Sequence, residues 1–394
     1  MTTHSTDRQT HYLFTADHEW LRESVRAWVE RNVAPYIDEW EHAGEFPLWL
    51  FPQMGDQGYL GVQYPEEYGG QGGDFAANLV VCEELSRVGA EAVGMAVSVH
   101  TAMATPPILE YGTEEQRQRY LPDLLGGRKI AALGISEPDA GSDVAGMRTH
   151  AKPTADGGWC LQGGKTFITN GDRADVVLVI ARTPSDSEAG KSFSLFLVDT
   201  ESPGFSRSQR LEKIGRHASG TCELRFDSVM LGPDALLGKL GRGFQQIMWE
   251  LDAERLVSAA TSVALGFHAL DLAIAYVKDR KQFGKRIADF QAIRHNIADL
   301  WARLTAAREL VYTTARRFQL GELRLPEIAM AKLFAAQTLT DATDYALQVH
   351  GGYGYMREYP ISRVWIDARV KRITAGTDEI QRELIARHVI GREL

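Results

Sequence analysis

Cysteine is scarce in this chain of 394 residues, which contains only Cys82, Cys160 and Cys222. The three are scattered, odd in number, and lack the CxxC or Cys/His spacing of a metal site. This pattern argues against both a disulfide framework and a zinc centre. We therefore expect no bound metal and a reducing compartment.

The chain also lacks a concentrated basic run. Its formal net charge of -9 and its pI of about 5.7 argue against a nucleic-acid-binding surface. No stretch approaches the roughly 20 apolar residues that a membrane span requires. Residues 1–10 are polar and lack the apolar core of a signal peptide. A soluble, cytoplasmic protein without a membrane span is expected.

Hydrophobic spacing divides the chain into three parts. Apolar residues recur at helical intervals through most of the first third, notably over 17–33 and 77–110. From about residue 129 to 235, short β-type runs at 176–180, 194–198 and 222–226 are separated by Gly, Pro, Asp and Ser. Steps of three and four return from Leu256 onward and are typical of long, bundled helices. We predict an α+β chain with a helical domain (1–127), a middle β domain (128–236) and a C-terminal helical bundle (237–394).

Two segments of the predicted β domain are candidate ligand sites. In residues 132–146 (ALGISEPDAGSDVAG), glycines and serines in a turn can expose amides and hydroxyls to a polar ligand, although an ordinary turn explains the pattern as well. In residues 164–171 (GKTFITNG), Phe167 and Thr169 share one face of a strand. There the ring could stack on a ligand while the hydroxyl bonds its polar edge. A buried strand aromatic is the alternative.

Two segments of the predicted helical bundle also carry ligand-binding chemistry. Residues 280–291 (RKQFGKRIADFQ) form a basic cluster between helices. Such a cluster is often a solvated helix end, but an arginine fork also suits a phosphate group. Residues 348–360 (QVHGGYGYMREYP) contain small residues that allow close backbone approach to a cofactor. A tight turn between helices explains the second segment equally well.

The remaining informative segments are a helix, residues 250–257 (ELDAERLV), and a turn, residues 372–382 (RITAGTDEIQR). With the four segments above, they make the chain resemble the acyl-CoA dehydrogenase family over nearly its whole length. In most members a glutamate directly before the Gly-Thr of the turn removes the α-proton of a thioester. This chain has Ala375 there. A minority of members carries that glutamate on the helix before an arginine, and Glu254–Arg255 matches this arrangement.

The resemblance implies an N-terminal helical domain, a middle β-barrel or sandwich and a C-terminal four-helix bundle. It also implies FAD-dependent α,β-dehydrogenation of an acyl-CoA to a trans-2-enoyl-CoA, with Glu254 as the base and hydride transfer to flavin N5. Residues that match the family's FAD contacts are Leu133, Ile135, Ser136, Ser142, Phe167, Thr169, Arg280, Phe283, Gln291, Gln348, Gly351, Gly352, Thr377 and Glu379. Those that match substrate contacts are Ser142, Asp252, Arg255, Ala375 and Gly376. Two positions depart from the family pattern, since Phe167 replaces a usual tryptophan and Asp139 a frequent glycine.

Members with the base on the helix resemble isovaleryl-CoA and long-chain acyl-CoA dehydrogenases, so a branched or medium to long acyl group is expected. The resemblance further implies an electron-transfer flavoprotein as acceptor and a homo-oligomer, commonly a tetramer, with FAD contacts shared between subunits. Three alternatives stay open. The substrate could be an acyl or aminoacyl group on a carrier protein, or the fold could serve an O2-using oxidase or monooxygenase. The third, a flavin-bearing DNA-associated or scaffolding relative, conflicts with the acidic charge balance.

Overall fold

The computed structural model describes residues 11–184, 192–322 and 325–391. Residues 1–10, on which the expectation of no signal peptide rests, lie outside the described residues. The first part of the chain is helical. Its α-helices are α1 (Ala16–Asn32), α2 (Ile37–Ala43), α3 (Leu50–Asp56), α4 (Phe75–Arg87), α5 (Glu91–Ser98), α6 (Pro106–Tyr111) and α7 (Glu114–Leu125).

Local sequence signals explain where these helices begin and end. At the start of α1, the Thr15 side chain accepts from the backbone N–H of His18, and the His18 ring bonds back to the backbone N–H of Thr15. The predicted helical run 77–110 is interrupted at Gly89, whose φ of +73° is left-handed. A π-helical turn, Val99–Ala104, interrupts it again. Helical periodicity alone did not predict these two breaks.

The middle part forms one eight-stranded sheet with the order β6-β7-β3-β2-β4-β5-β8, and β1 pairs in parallel with β4. Its strands are β1 (Ala131–Gly134), β2 (His150–Pro153), β3 (Trp159–Thr169), β4 (Val176–Thr183), β5 (Ser192–Asp199), β6 (Phe205–Arg207), β7 (Thr221–Leu231) and β8 (Leu236–Leu237). The central strands β4 and β5 are almost continuously buried. They are therefore apolar throughout rather than alternating, as strands covered on both faces are.

The last part is helical again and is built on one long helix, α8 (Gly243–Asp279). Its elements continue with the short hairpin strands β9 (Lys281–Gln282) and β10 (Lys285–Arg286), then α9 (Gln291–Gln319), α10 (Leu325–His350), α11 (Pro360–Arg369) and α12 (Asp378–Val389). Helix α8 packs against α4, α9, α10 and α11. A Cβ on Gly266 would come within 2.5 Å of Leu304, so the absent side chain permits close packing of α8 and α9. The predicted order of helical, β and helical parts is confirmed.

We expected no stretch of the chain to be long and apolar enough for a membrane span, and two helical segments of the described chain differ from this expectation. By length and composition alone, Glu91–Tyr111 and Gly243–Asp279 could cross a membrane. Within these segments, 83% and 67% of the most apolar window is buried inside the fold. Such burial is typical of core helices in a globular protein, because an all-round apolar helix needs protein on every side.

Candidate active site

Glu254 lies on α8, and its side chain is partly buried. Removal from water raises the pKa of its carboxyl to about 7, because burial disfavours the charged form. The positive charges of Arg255 and Lys332 act in the opposite direction and lower the pKa. A carboxyl group with a pKa near neutrality can both accept and release a proton at physiological pH.

The turn between α11 and α12 meets this part of α8. Its residues Ala375 and Gly376 have left-handed φ values of +57° and +87°, and Ala375 is buried. Three side chains from three helices bind the two carbonyl oxygens of the turn. Arg255 Nε donates to the Ala375 oxygen at 3.3 Å, and Lys332 Nζ to the Gly376 oxygen at 2.8 Å. Gln381 Nε2 donates to both oxygens, at 3.0 and 3.1 Å.

The backbone amides of the same turn are in a different situation. Among the residues that the structure describes, the N–H groups of Ala375 and Gly376 donate to no backbone carbonyl. Buried backbone N–H groups are almost always paired. In this turn the carbonyl oxygens accept hydrogen bonds while the two amides have no backbone acceptor. Such amides can donate hydrogen bonds to an oxygen atom of a ligand.

Further charged residues surround Glu254 on its own helix. Arg255 Nη1 donates to Asp252 Oδ1 at 2.8 Å, so two of the five predicted substrate-contacting residues form an ion pair. Glu250, one helical turn before Glu254, is completely buried, and neither of its carboxyl oxygens has a partner among the described residues. Burial raises the pKa of Glu250 well above its ordinary value, and the charge of Glu254 raises it further.

Sequence reasoning did not single out Glu250 or Lys332. The one available signal was the presence of a charged residue among apolar ones. Lys332 stands alone in the run IAMAKLFAA (328–336), where a helix of this kind is expected to be buried. That signal indicates a satisfied buried charge, but the partner, 44 positions away in the 375–376 turn, is fixed only by the tertiary fold.

The two candidate segments of the β domain lie next to each other in the structure. The Thr166 amide donates to the Ser136 carbonyl at 2.9 Å. Lys165, fully buried, donates to the Ile135 carbonyl at 3.0 Å and pairs with Glu137 at 2.8 Å. These bonds fix the loop that follows β1 against β3. Leu133, Ile135 and Ser136 are partly buried there, whereas Ser142 is exposed further along the loop.

Phe167 and Thr169 occupy an irregular part of β3. The pairing of β3 with β7 shifts between Lys165 and Ile168, and Phe167 has a left-handed φ of +59°. The simple strand alternation used to place both residues on one face therefore does not hold through this bulge. The Phe167 side chain is nevertheless 71% exposed and Thr169 is partly accessible, while Ile168 between them is buried.

A cleft separate from the Glu254 site lies between the β9–β10 hairpin and the turn that follows α10. It is lined by Arg280 together with Gly351 and Gly352, and Arg280 lies 5.7 Å from the centre of the Tyr353 ring. A Cβ on either glycine would meet nothing within 4 Å. Phe283, at the tip of the hairpin, is 91% exposed with a φ of +53°. An exposed aromatic in a left-handed conformation is strained and is typical of a contact surface.

The other predicted contacts are placed around these two sites. Gln291 begins α9 and is exposed, as is Gln348 on the last turn of α10. The Thr377 hydroxyl accepts from the Ile380 amide and caps α12, and Glu379 is exposed beside Arg382. Among the described residues, no hydrogen bond or ion pair joins the cleft at Arg280 to residues 132–146 or 164–171.

Models of three protein domains match the chain. The acyl-CoA dehydrogenase N-terminal domain matches residues 15–128, the middle domain residues 132–229 and the C-terminal domain residues 241–390. The long-chain specific acyl-CoA dehydrogenase of Sus scrofa is 39% identical over 386 residues, covering 98% of this chain and 89% of the relative. The isovaleryl-CoA dehydrogenase of Solanum tuberosum is 37% identical over 388 residues, covering 98% and 92%.

Solved structures agree with these relatives. The acyl-CoA dehydrogenase of Geobacillus kaustophilus is 36% identical with a TM-score of 0.92, covering 96% of this chain and 99% of that one. An acyl-CoA dehydrogenase complexed with FAD from Bacillus anthracis is 30% identical with a TM-score of 0.89, covering 96% and 67%. A chain described with the electron transferring flavoprotein of Acidaminococcus fermentans is 35% identical with a TM-score of 0.91, covering 96% and 98%.

Proposed function

The chain belongs to the acyl-CoA dehydrogenase family, and we propose that Glu254 is the base with which it removes the α-proton of the acyl group. The family is one of FAD-dependent oxidoreductases, so the protein oxidises an acyl-CoA to an enoyl-CoA. The observation that carries the assignment of the base is the partly buried Glu254 carboxyl, with a pKa of about 7, on the helix whose Arg255 side chain donates to the Ala375 carbonyl of the 375–376 turn.

The proposed roles follow from the acidity of a thioester. An α-proton is too weakly acidic for a carboxylate in water, so the developing enolate oxygen needs hydrogen-bond donors in a dry site. The Ala375 amide is the donor we assign to the thioester oxygen. Glu254 accepts the α-proton, and the neighbouring pair Asp252–Arg255 holds the substrate beside it. A backbone amide does not depend on the side chain, which explains why alanine is tolerated at position 375.

The residues of the chain fit FAD, which when bound accepts the hydride from the β-carbon. Phe167 and Phe283 present exposed rings on strained backbone, where a planar ligand can stack. The space in front of Gly351 and Gly352 is open for a cofactor that approaches the backbone closely. We assign Arg280, in the same cleft, to the pyrophosphate because its guanidinium group binds phosphate bidentately.

We propose a branched or medium to long acyl group as the substrate. The small side chain of Ala375 leaves room beside the reacting carbons, and a base that reaches them from α8 occupies a different side of the site. The relatives named for long-chain and isovaleryl substrates support the same range.

Two further proposals concern the assembly. The lack of any hydrogen bond or ion pair between the two groups of FAD contacts, among the described residues, supports a homo-oligomer, which we propose to be a tetramer in which each cofactor contacts two subunits. An electron-transfer flavoprotein is the proposed acceptor, supported by the solved chain described with such a protein. We propose the cytoplasm as the compartment, because the three cysteines are free.

The decisive experiment mixes the FAD-loaded wild type and Glu254→Gln anaerobically with isovaleryl-CoA, butyryl-CoA and palmitoyl-CoA and follows the flavin absorbance. We expect wild type to bleach with at least one ester. Glu254→Gln should retain FAD and bleach at least about a hundredfold more slowly, because a glutamine cannot accept the proton. Glu23→Gln, at an exposed position on α1 outside all predicted contacts, is the control and should bleach at the wild-type rate.

Two results would contradict the proposal. Bleaching of Glu254→Gln at the wild-type rate would remove Glu254 as the base. Wild type that stays oxidised with every CoA ester would reject the proposed substrate range.

A further inference from the structure

Lys332 lies on α10 and has no accessible surface. Its ammonium group donates to the Gly376 carbonyl at 2.8 Å. A buried lysine is costly unless its charge is compensated. Burial lowers its pKa to about 8, and the carboxylates of Asp378 and Glu254 act against that change. The two carboxylates therefore offset part of the effect of burial on the pKa of Lys332.

The charged groups that act on Lys332 come from three other parts of the chain. Helix α8 contributes Glu254 and Arg255, the start of α12 contributes Asp378, and the turn after α11 contributes Lys371. Asp378 is itself bound by Arg372 Nε at 2.7 Å. Because Asp378 already has a cationic partner, Glu254 is the anion near Lys332 that has no such hydrogen-bonded partner among the described residues.

We propose that Lys332 is a positioning residue for the dehydrogenation, which anchors the 375–376 turn through the Gly376 carbonyl and thereby places its positive charge on the same side of the site as the Glu254 carboxyl. This inference rests on the proposed function, because it takes Glu254 as the base and the turn as the site of the thioester oxygen. Arg255 and Gln381 share the anchoring, but Gln381 carries no charge. Lys332 differs from Arg255 in reaching the turn from α10, a helix that carries neither the turn nor Glu254.

The two effects of Lys332 are separable with substitutions. Lys332→Met removes both the donor and the charge, Lys332→Gln keeps a donor, and Lys332→Arg keeps the charge. Gln381→Leu removes a neutral donor from the same two carbonyls and is the matched control for loosening the turn alone. All variants are compared as FAD-loaded protein, with isovaleryl-CoA and palmitoyl-CoA as the probes.

The experiment measures the rate constant of flavin bleaching at saturating probe between pH 5.5 and 9, in single turnovers. The base works deprotonated, so the rate falls below the pKa of Glu254. We expect Lys332→Met to raise the midpoint of this fall by about one unit, because a nearby positive charge is lost. The rate above the midpoint should fall about tenfold or more as the turn loosens. Lys332→Arg should keep the wild-type midpoint. Gln381→Leu should lower the rate constant but leave the pH midpoint at its wild-type value.

A second readout is independent of turnover. Calorimetric titration with crotonyl-CoA, an enoyl-CoA product analogue, should show weaker binding to Lys332→Met and Gln381→Leu than to wild type. If Lys332→Met does not retain FAD, the midpoint of Lys332→Gln decides the charge effect. Wild-type midpoints in both neutral variants would overturn the inference. Glu254→Gln is measured alongside to separate the two failures. If Glu254→Gln bleaches at the wild-type rate, the proposed base is wrong. If Glu254→Gln is inactive while both neutral Lys332 variants keep the wild-type midpoint, only the role of Lys332 is rejected.

Discussion

At the scale of single residues, Glu250 is the least satisfied group in the site. It is completely buried, neither of its carboxyl oxygens has a partner among the described residues, and burial raises its pKa well above the ordinary value. The folded protein thus holds a proton that the unfolded chain loses above its ordinary pKa of 4.5. The stability contribution of this group is therefore largest below pH 4.5 and declines as the pH rises toward the folded pKa.

We predict that Glu250→Leu and Glu250→Gln are more stable than wild type at pH 8, by about 1–3 kcal/mol, because the unpaired buried carboxyl is removed or made permanently neutral. The gain in the free energy of unfolding should be smaller at pH 5. Urea denaturation of the FAD-loaded proteins at pH 5 and pH 8 measures this free energy. The control is Glu23→Gln, on the exposed face of α1, which should change the stability by less than about 0.5 kcal/mol. Lower stability of Glu250→Gln at pH 8 would mean that Glu250 is charged and paired in solution.

At the scale of elements, the cleft at Arg280 gives a test of the cofactor site. Gly351 is left-handed with a φ of +59°, and a Cβ there would meet nothing. Gly44, which ends α2, has the same two properties with a φ of +76°. Alanine at either position therefore costs about 1 kcal/mol of backbone strain, but only position 351 lies in the proposed FAD cleft.

We predict that Gly351→Ala lowers the FAD content of the purified protein several-fold, whereas Gly44→Ala retains it, with similar losses of thermal stability in the two apoproteins. The ratio of flavin to protein absorbance measures the content, and an FAD titration gives the affinity. Equal FAD content in the two variants would show that no cofactor atom lies close to Gly351.

The elements also show how far the sequence alone leads. The β-type runs at 176–180 and 194–198 were predictable because central strands are apolar throughout, and they lie inside β4 and β5. The breaks around Gly89 and in Val99–Ala104 were not, because they leave the apolar periodicity intact. Motifs placed Glu254 and Ala375 in one site. The contacts of Lys332 could not be predicted from the sequence, because its bond to the Gly376 carbonyl forms only when α10 packs beside the turn.

At the scale of the whole molecule, one buried cluster of charges joins the three parts of the chain. Arg216, in the loop before β7, pairs with Glu91 of α5 at 2.7 Å, and its amide donates to Asp367 of α11 at 2.6 Å. Lys371 pairs with the same Glu91 at 3.3 Å and bonds Thr261 of α8 at 2.7 Å. Every part of the chain depends on this cluster, so its ionisation should affect global unfolding.

Asp367 is the titrating member of the cluster. Burial raises its pKa to about 7, the nearby Glu41 raises it further, and Arg216 lowers it. Because the folded pKa exceeds the ordinary value of 3.8, the contribution of Asp367 to stability is largest below pH 3.8 and is lost progressively as the pH rises to about 7.

We predict that Asp367→Asn, which still accepts from the Arg216 amide, removes this loss and stabilises the protein at pH 8 by about 2–4 kcal/mol. Unfolding temperatures from pH 5 to 8 measure the effect, with the exposed Asp56→Asn as the control. If Asp367→Asn is instead less stable throughout this range, the carboxylate is charged in the folded protein and Arg216 more than compensates its burial.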